Sequence, residues 1–264
     1  MQILYGFLLA AIVAYLAYRA HSLNKGGAFA ATIVGTVIFG IGGWQWAVLL
    51  LTFFITSSGL SRAFKKRKVD LDEKFSKGHE RDAGQVLGNG GLATYFVVLH
   101  AFYPESIIPW MGFAASLAAV NADTWATELG VLNPAPPRMI TNLTKRVEKG
   151  TSGGVSLLGT IASLLGSALI ALLAVLLSPT GTLTATHWLL ITAAGLAGSL
   201  FDSFLGATVQ AMYFCPTDNE ETEKHPLHTC GTKTVHIRGW EWLNNDWVNF
   251  ACAGLGALMA LLLT

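Results

Sequence analysis

The sequence predicts an all-α fold, a polytopic transmembrane bundle of about eight spans, and three observations carry that prediction. The 264 residues are 52% hydrophobic and only 12% charged, about half the charge of an average soluble domain, and the mean hydropathy is +0.49. Apolar runs of about 17–25 residues recur along the chain, each able to cross roughly 30 Å of hydrocarbon as a helix. The 17 Lys and Arg residues fall into four clusters that alternate with bare connections.

The runs lie near 2–18, 27–43, 45–60, 86–102, 107–129, 153–177, 187–211 and 245–263. The first lacks a basic leader and is followed by Arg19, which reads as a retained anchor and not a cleaved signal. The second and third share the junction "GGWQW", so they are two spans or one re-entrant hairpin. Basic residues occur at Arg19 and Lys25, from Arg62 to Arg81, from Arg138 to Lys149, and from Lys224 to Arg238. The connections near Gly43, Tyr103 to Ile107 and Ser178 to His187 have none. The positive-inside rule then places both termini outside and the loops near 61–85, 131–152 and 212–243 in the cytoplasm. The expectation is one integral membrane domain, 1–264, in the cell membrane, with its polar motifs facing the cytoplasm.

A formal charge of +1 says nothing by itself about a partner, no nucleic-acid partner is expected, and three cysteines argue against a disulfide framework. The sequence sets no oligomeric state. Glycine is abundant inside the spans, as in "GTIASLLGSA" and "AGLAGSL", where small residues let helices approach closely. The loop "SRAFKKRKVDLDEKFSKGHERDAG" reads as a basic, lipid-facing segment.

The polar residues inside the spans raise the functional question. The stretch "AAVNADTWATELG" carries Asp123 and Glu128, and an ionised acid at bilayer depth costs about 2.5–3.5 kcal/mol even on a lenient scale. At 100° per residue the two acids lie about 140° apart on a regular helix. Either the helix is unwound there or both faces are buried in protein. A third acid, Asp202 in "GSLFDSFLGATVQ", lies in the seventh span. Pairing with loop Lys or Arg is one way to satisfy these charges. A divalent cation is another, and Mg²⁺ suits a few carboxylates supplemented by water and substrate phosphates.

Two further segments suit anions. "EKGTSGGVSLLGT" runs Lys149, Gly150, Thr151, Ser152, Gly153, Gly154 into the sixth span, so Thr151 or Ser152 is expected to cap that helix. A Gly-rich turn at a helix N-terminus offers free N–H groups to phosphate, although the string is not a Walker A loop. In "RDAGQVLGNGG", Arg81, Gln85 and Asn89 recur every four residues and are expected to share one helix face, to read a base, hold phosphate, or bond neighbouring helices. "LNNDWVN" opens the last span with Asn245, Asp246 and Asn249, where an acid also suits an N-terminal turn. Between the last two spans, Cys215, His228 and Cys230, with Asp218 where a C-x-x-C motif has its second cysteine, are ligand types that zinc accepts.

The ordered strings "NADTWATELG", "GTSGGVSLLGT", "DSFLGATVQ", "CGT" and "LNNDWVN" resemble the integral membrane family of transmembrane protein 19 and the phytyl phosphate kinases. The resemblance runs from "RDAGQVLGNGG" to the last helix. It implies an isoprenoid phosphate kinase that transfers a phosphoryl group from a nucleoside triphosphate, CTP, to a prenyl monophosphate such as phytyl or geranylgeranyl phosphate. In the family the loop after "ATVQ" often carries a full C-x-x-C, from which Asp218 departs. In this reading Asp123, Glu128 and Asp202, with Asp246, hold Mg²⁺. The 150–154 segment cradles phosphate, Arg81, Lys149 or Arg146 neutralises the transferring group, and Gln85, Asn89, Asn245 and Asn249 orient the nucleotide. The lipid tail lies between spans lined by small residues. The alternative is an ion-coupled transporter, which also uses intramembrane acids and Gly-broken helices.

Overall fold

A computed structural model describes residues 1–64 and 80–263; the middle of the basic loop expected near 61–85 lies outside the described residues. Among the described residues, eight long helices follow the apolar runs: α1 (Gln2–Arg19), α2 (Lys25–Val37, prolonged by a π-helical turn, Ile38–Gly42), α3 (Trp44–Ala63), α4 (Ala83–Phe102), α5 (Ile107–Gly130), α6 (Leu157–Leu176), α7 (Ala185–Thr208) and α8 (Asn245–Leu262). Six are long and apolar enough to cross a membrane by length and composition. The other two, α4 and α5, carry polar residues such as Gln85, Asn89, Asn121 and Asp123 within the helix. The "GGWQW" junction separates two helices, and Gly43 makes the bend at φ +87°, a conformation open to glycine without strain.

The centre of the bundle is α5. Every residue from 109 to 122 is buried, enclosed by α4, α6, α7 and α8 with α3 alongside. Small residues make that enclosure possible. A Cβ on Gly198 of α7 would stand 2.6 Å from the Ala119 Cβ, and one on Gly256 of α8 would stand 2.8 Å from the same atom. Asn121 ties three helices together: its Nδ2 donates to the Gly166 carbonyl at 2.7 Å, and its Oδ1 accepts from Thr56 and Ser57 of α3. On this regular helix Glu128 is buried and Asp123 half-buried, so no unwinding is needed to keep either acid from lipid.

The two ends of the bundle differ. At the bare connections, Trp46 is fully buried with ring centroids 5.0 Å from His100, 4.9 Å from Trp110 and 4.7 Å from Phe113. At the other end the basic segments meet. Arg81 N–H donates to the Ser22 carbonyl, and Asn24 N–H to the Arg81 carbonyl, both at 3.0 Å. The Arg62 guanidinium donates to the Ala20 carbonyl and to Ser22 Oγ.

Two small antiparallel sheets, absent from the helical reading, also sit in the polar loops. One has the order β2-β1-β3, from β1 (Arg138–Met139), β2 (Asn142–Arg146) and β3 (Gly154–Val155); the other has the order β5-β4-β6, from β4 (Met212–Cys215), β5 (Glu220–Thr222) and β6 (Val235–Arg238). The first corrects the expected start of the sixth helix. Because Gly154 and Val155 pair with β1, α6 begins at Leu157 with Ser156 as its cap, accepting from Gly159 N–H at 3.1 Å. Thr151 and Ser152 do not cap it.

Candidate active site

A polar cavity of about 280 Å³ opens where the basic segments meet. Asp123, Thr127 and Glu128 reach it from α5, and Ser199, Asp202 and Ser203 from α7. The loop 149–154, the first turn of α6, Asn245 and Asn249 of α8, Gln210 and Glu223 beside the second sheet, and Ser61, Arg81, Gln85 and Asn89 also line it.

The carboxylates of Asp123, Asp202 and Glu223 are near enough to repel one another. Ser199 faces Asp123, while the buried Oδ2 of Asp202 has no hydrogen-bond partner among the described residues. Glu128 accepts from Ser61 Oγ at 2.7 Å and lies within the field of Arg81. Among the described residues, the lining thus holds four carboxylates and two cationic side chains, Arg81 and Lys149.

Arg81 reaches the cavity by a route that the four-residue spacing did not predict. It precedes α4, held by the backbone bridge to residues 22–24. Its guanidinium lies 5.4 Å from the Phe53 ring centre and 5.7 Å from that of Phe54. Burial pulls its pKa down to about 10, with Glu128 pulling the other way, so the group is charged at neutral pH. Asp82 caps α4 in a reciprocal box with Gln85: Gln85 N–H donates to Asp82 Oδ1 at 2.9 Å, and Asp82 N–H to Gln85 Oε1 at 3.1 Å. Asn89 Nδ2 donates to the Gln85 carbonyl at 2.8 Å. All three predicted residues line the cavity, but a loop, not a shared helix face, brings Arg81 to the other two.

The 149–154 loop is seated on the end of α7. Gly150 and Gly153 have φ of +82° and +84°, and a Cβ on Gly153 would stand 2.5 Å from that of Ala207. Lys149 Nζ donates to the Val131 carbonyl at 2.9 Å. Ser152 Oγ donates to Gln210 Oε1 at 3.1 Å, and Gln210 Nε2 donates to Glu223 Oε1 at 2.9 Å. With the first turn of α6 in the lining, the positive end of that helix also faces the cavity.

Two expected residues fall elsewhere. Asp246 is not among the cavity-lining residues; Asn244 caps α8 by accepting from Asp246 and Trp247 N–H, and Asp246 lies where Gly88 of α4 closes on its carbonyl. Arg146 is exposed on β2. Gln210, Glu223 and Ser199 are additions. Gln210 ends the string "DSFLGATVQ", a signal that was there to use, whereas Glu223 sits in the acidic run "NEETEK", which looks like any solvated loop.

A second, apolar pocket of about 80 Å³ lies among α1, α2, α3 and α4. Ala10, Ala14, Val34, Phe39, Leu50 and Phe54 contribute to its wall, and Arg81, Gln85 and Asn89 line it as they line the polar cavity. Separately, Cys215, Asp218, His228 and Cys230 converge beside the second sheet. Hydrogen bonds from Cys230 and His228 hold the Asp218 carboxyl below its ordinary range.

The description "Integral membrane protein DUF92" matches residues 8–257. Protein PGR of Arabidopsis thaliana is 34% identical across 94% of this chain and 91% of that protein. A membrane protein of Methanocaldococcus jannaschii is 33% identical across 78% of the chain and 83% of its own length. Protein VTE6, chloroplastic, of Arabidopsis thaliana is 26% identical across 91% of the chain and 65% of its own. No solved structure matches the chain significantly.

Proposed function

The chain belongs to the DUF92 family of integral membrane proteins, the family of transmembrane protein 19 and the phytyl phosphate kinases, and from that premise we propose that it is an isoprenoid phosphate kinase. The reaction is transfer of the γ-phosphoryl group of CTP to phytyl or geranylgeranyl phosphate in the cell membrane, from the cytoplasmic side.

One observation carries this reading: a polar cavity and an apolar pocket meet at Arg81, Gln85 and Asn89. A prenyl phosphate is an amphiphile of the matching kind. Its phosphate needs a cation and hydrogen-bond donors, and its first isoprene carbons need a dry wall directly beside them. Arg81 supplies the charge, and its aromatic neighbours Phe53 and Phe54 begin the apolar side.

The donor belongs in the polar cavity. Thr151 and Gly154 N–H bond within the loop, so the amides of Gly150, Ser152 and Gly153 and the positive end of α6 suit its phosphates; Lys149 adds charge, and Asn245 and Asn249 offer amides for orientation. The carboxylates fit Mg²⁺: Asp123, Asp202 and Glu128 are hard oxygen donors of the kind that ion takes, two of them repel each other, and the buried Asp202 Oδ2 has no hydrogen-bond partner among the described residues. Mg²⁺, when bound, supplies neutralisation of charge on the donor phosphates.

In the transfer, a phosphate oxygen of the prenyl phosphate forms a bond to the γ-phosphorus, the bond from that phosphorus to the β-phosphate oxygen breaks, and CDP leaves. The acceptor oxygen is already anionic, so the step requires no general base. The choice of CTP rests on the family resemblance. An ion-coupled transporter would need access from both faces, and the end of the bundle opposite the cavity is filled by Trp46 and the rings around it.

The test is transfer of label from γ-³²P CTP, and in parallel γ-³²P ATP, to phytyl and geranylgeranyl phosphate by purified protein with Mg²⁺. Labelled prenyl diphosphate that disappears on adding EDTA is the expected result. Folded protein that labels neither lipid from either donor overturns the proposal.

A further inference from the structure

The second sheet is a small unit with little core of its own. It spans only residues 212–238, and its buried side chains are few, among them Met212, Tyr213, Cys215, Thr222 and His228. Units of this size commonly depend on a staple such as a disulfide or a structural metal. Cys215 and Cys230 are both free, with their sulfurs 3.5 Å apart.

Four donor groups gather at that point. Cys215 ends β4, Asp218 lies in the turn to β5, and His228 and Cys230 lie on the segment returning to β6. That segment folds tightly, with Gly231 N–H donating to the His228 carbonyl and His228 N–H to the Thr232 carbonyl, each at 2.9 Å. One donor atom from each of the four residues falls within 4.8 Å of the others. Zinc bonds of about 2.0–2.3 Å in a tetrahedron put neighbouring donors roughly 3.3–3.8 Å apart. Cys215 Sγ lies 3.5 Å from Cys230 Sγ and 3.5 Å from Asp218 Oδ2. The contact of 2.7 Å between His228 Nδ1 and Asp218 Oδ2 would widen by roughly half an ångström to match that spacing.

The surroundings of His228 supply an independent argument. Its ring is buried, and Nε2 faces Glu220 Oε1 at 3.3 Å while Nδ1 faces the cluster. A histidine ligand usually donates its other ring N–H to a carboxylate, which sets the tautomer and orients the ring.

We infer that Cys215, Asp218, His228 and Cys230 bind one structural zinc ion, with Glu220 orienting His228. The ion fastens the turn between β4 and β5 to the segment before β6. Glu223 directly follows β5 and Gln210 precedes β4; the two are hydrogen-bonded and both line the polar cavity. The zinc site therefore positions one wall of that cavity without touching its contents.

Metal analysis of the full chain, purified in detergent without chelators, tests the inference. One zinc per chain is expected, and exchange for Co²⁺ should give the visible absorption of a tetrahedral thiolate site. Cys215→Ser and Cys230→Ser should each lose the metal, Asp218→Cys should keep it, and Glu220→Gln should bind it about 10–100-fold more weakly. Asp123→Asn should keep its zinc, which separates this site from the carboxylates of the polar cavity. A wild-type protein that carries no zinc and takes up none from added Zn²⁺ overturns the inference. So does undiminished zinc in the Cys215→Ser, Cys230→Ser double variant. Zinc content is read without any turnover, so failure of the kinase proposal leaves this test intact.

Discussion

Helices α1 and α5 are both apolar, yet they do opposite work. On α1 the large side chains, including Ile3, Leu4, Phe7, Leu8, Ile12 and Leu16, are exposed, and only Gly6, Ala10, Ala14 and Ala17 are buried. On α5 the whole segment 109–122 is buried, and the acids follow directly at its polar end. The helix with less apolar character is the more enclosed one. Hydropathy in a membrane protein records what lipid tolerates, and a carboxylate is tolerated only where protein, water or a cation can answer it. The small-residue stripe of α1 lines the apolar pocket through Ala10, Ala14 and Ala17 and also packs closely on α2, where a Cβ on Gly35 would stand 2.8 Å from that of Ala10; small residues around α5 serve close packing.

The contrast can be broken most sharply at the acids. Asp202→Asn or Asp123→Asn is expected to lower turnover about 10²–10³-fold, the usual scale for removing one electrostatic group from a reacting centre, while size-exclusion profile and helicity in detergent stay as in wild type. Turnover within a factor of ten of wild type would remove these carboxylates from the mechanism.

At the seam between the two cavities, Arg81→Gln loses a hydrogen bond to a charged group, worth about 1.5–3 kcal/mol. It should raise KM for the prenyl phosphate about 10- to 100-fold while KM for the nucleotide changes little. Equal rises in both would place Arg81 on the donor instead. Packing around α5 comes next: Gly198→Leu forces a side chain into the space of Ala119 and should destabilise by about 1–3 kcal/mol, read as a lower Tm in detergent. The smallest effect belongs to α1. Leu8→Ala, on an exposed face, should stay within about 0.5 kcal/mol of wild type, and a large loss of Tm there would show that α1 is covered by protein.

Much of the site was legible because chemistry that is expensive in lipid stands out in an apolar sequence. Asp123, Glu128 and Asp202 announce themselves against their surroundings, and the glycines of 150–154 mark a loop that must turn tightly. Glu223 could not be found in this way, since an acid in an acidic loop costs nothing and carries no signal. The cap of α6 was misplaced for a related reason: Thr151, Ser152 and Ser156 are all competent caps, and the pairing of β3 with β1 chooses among them.

By itself the sequence determined the eight-helix, all-α bundle, because helix length and apolar composition are local properties set by bilayer thickness and backbone hydrogen bonding. It also determined which polar residues needed an explanation. Only the tertiary structure decided that α5 is the enclosed helix, that Arg81 joins a polar cavity to an apolar pocket, and that Asp218 completes a four-residue donor set with Cys215, His228 and Cys230. Those outcomes depend on which surfaces of distant segments meet, and no residue's own propensity encodes its eventual neighbours.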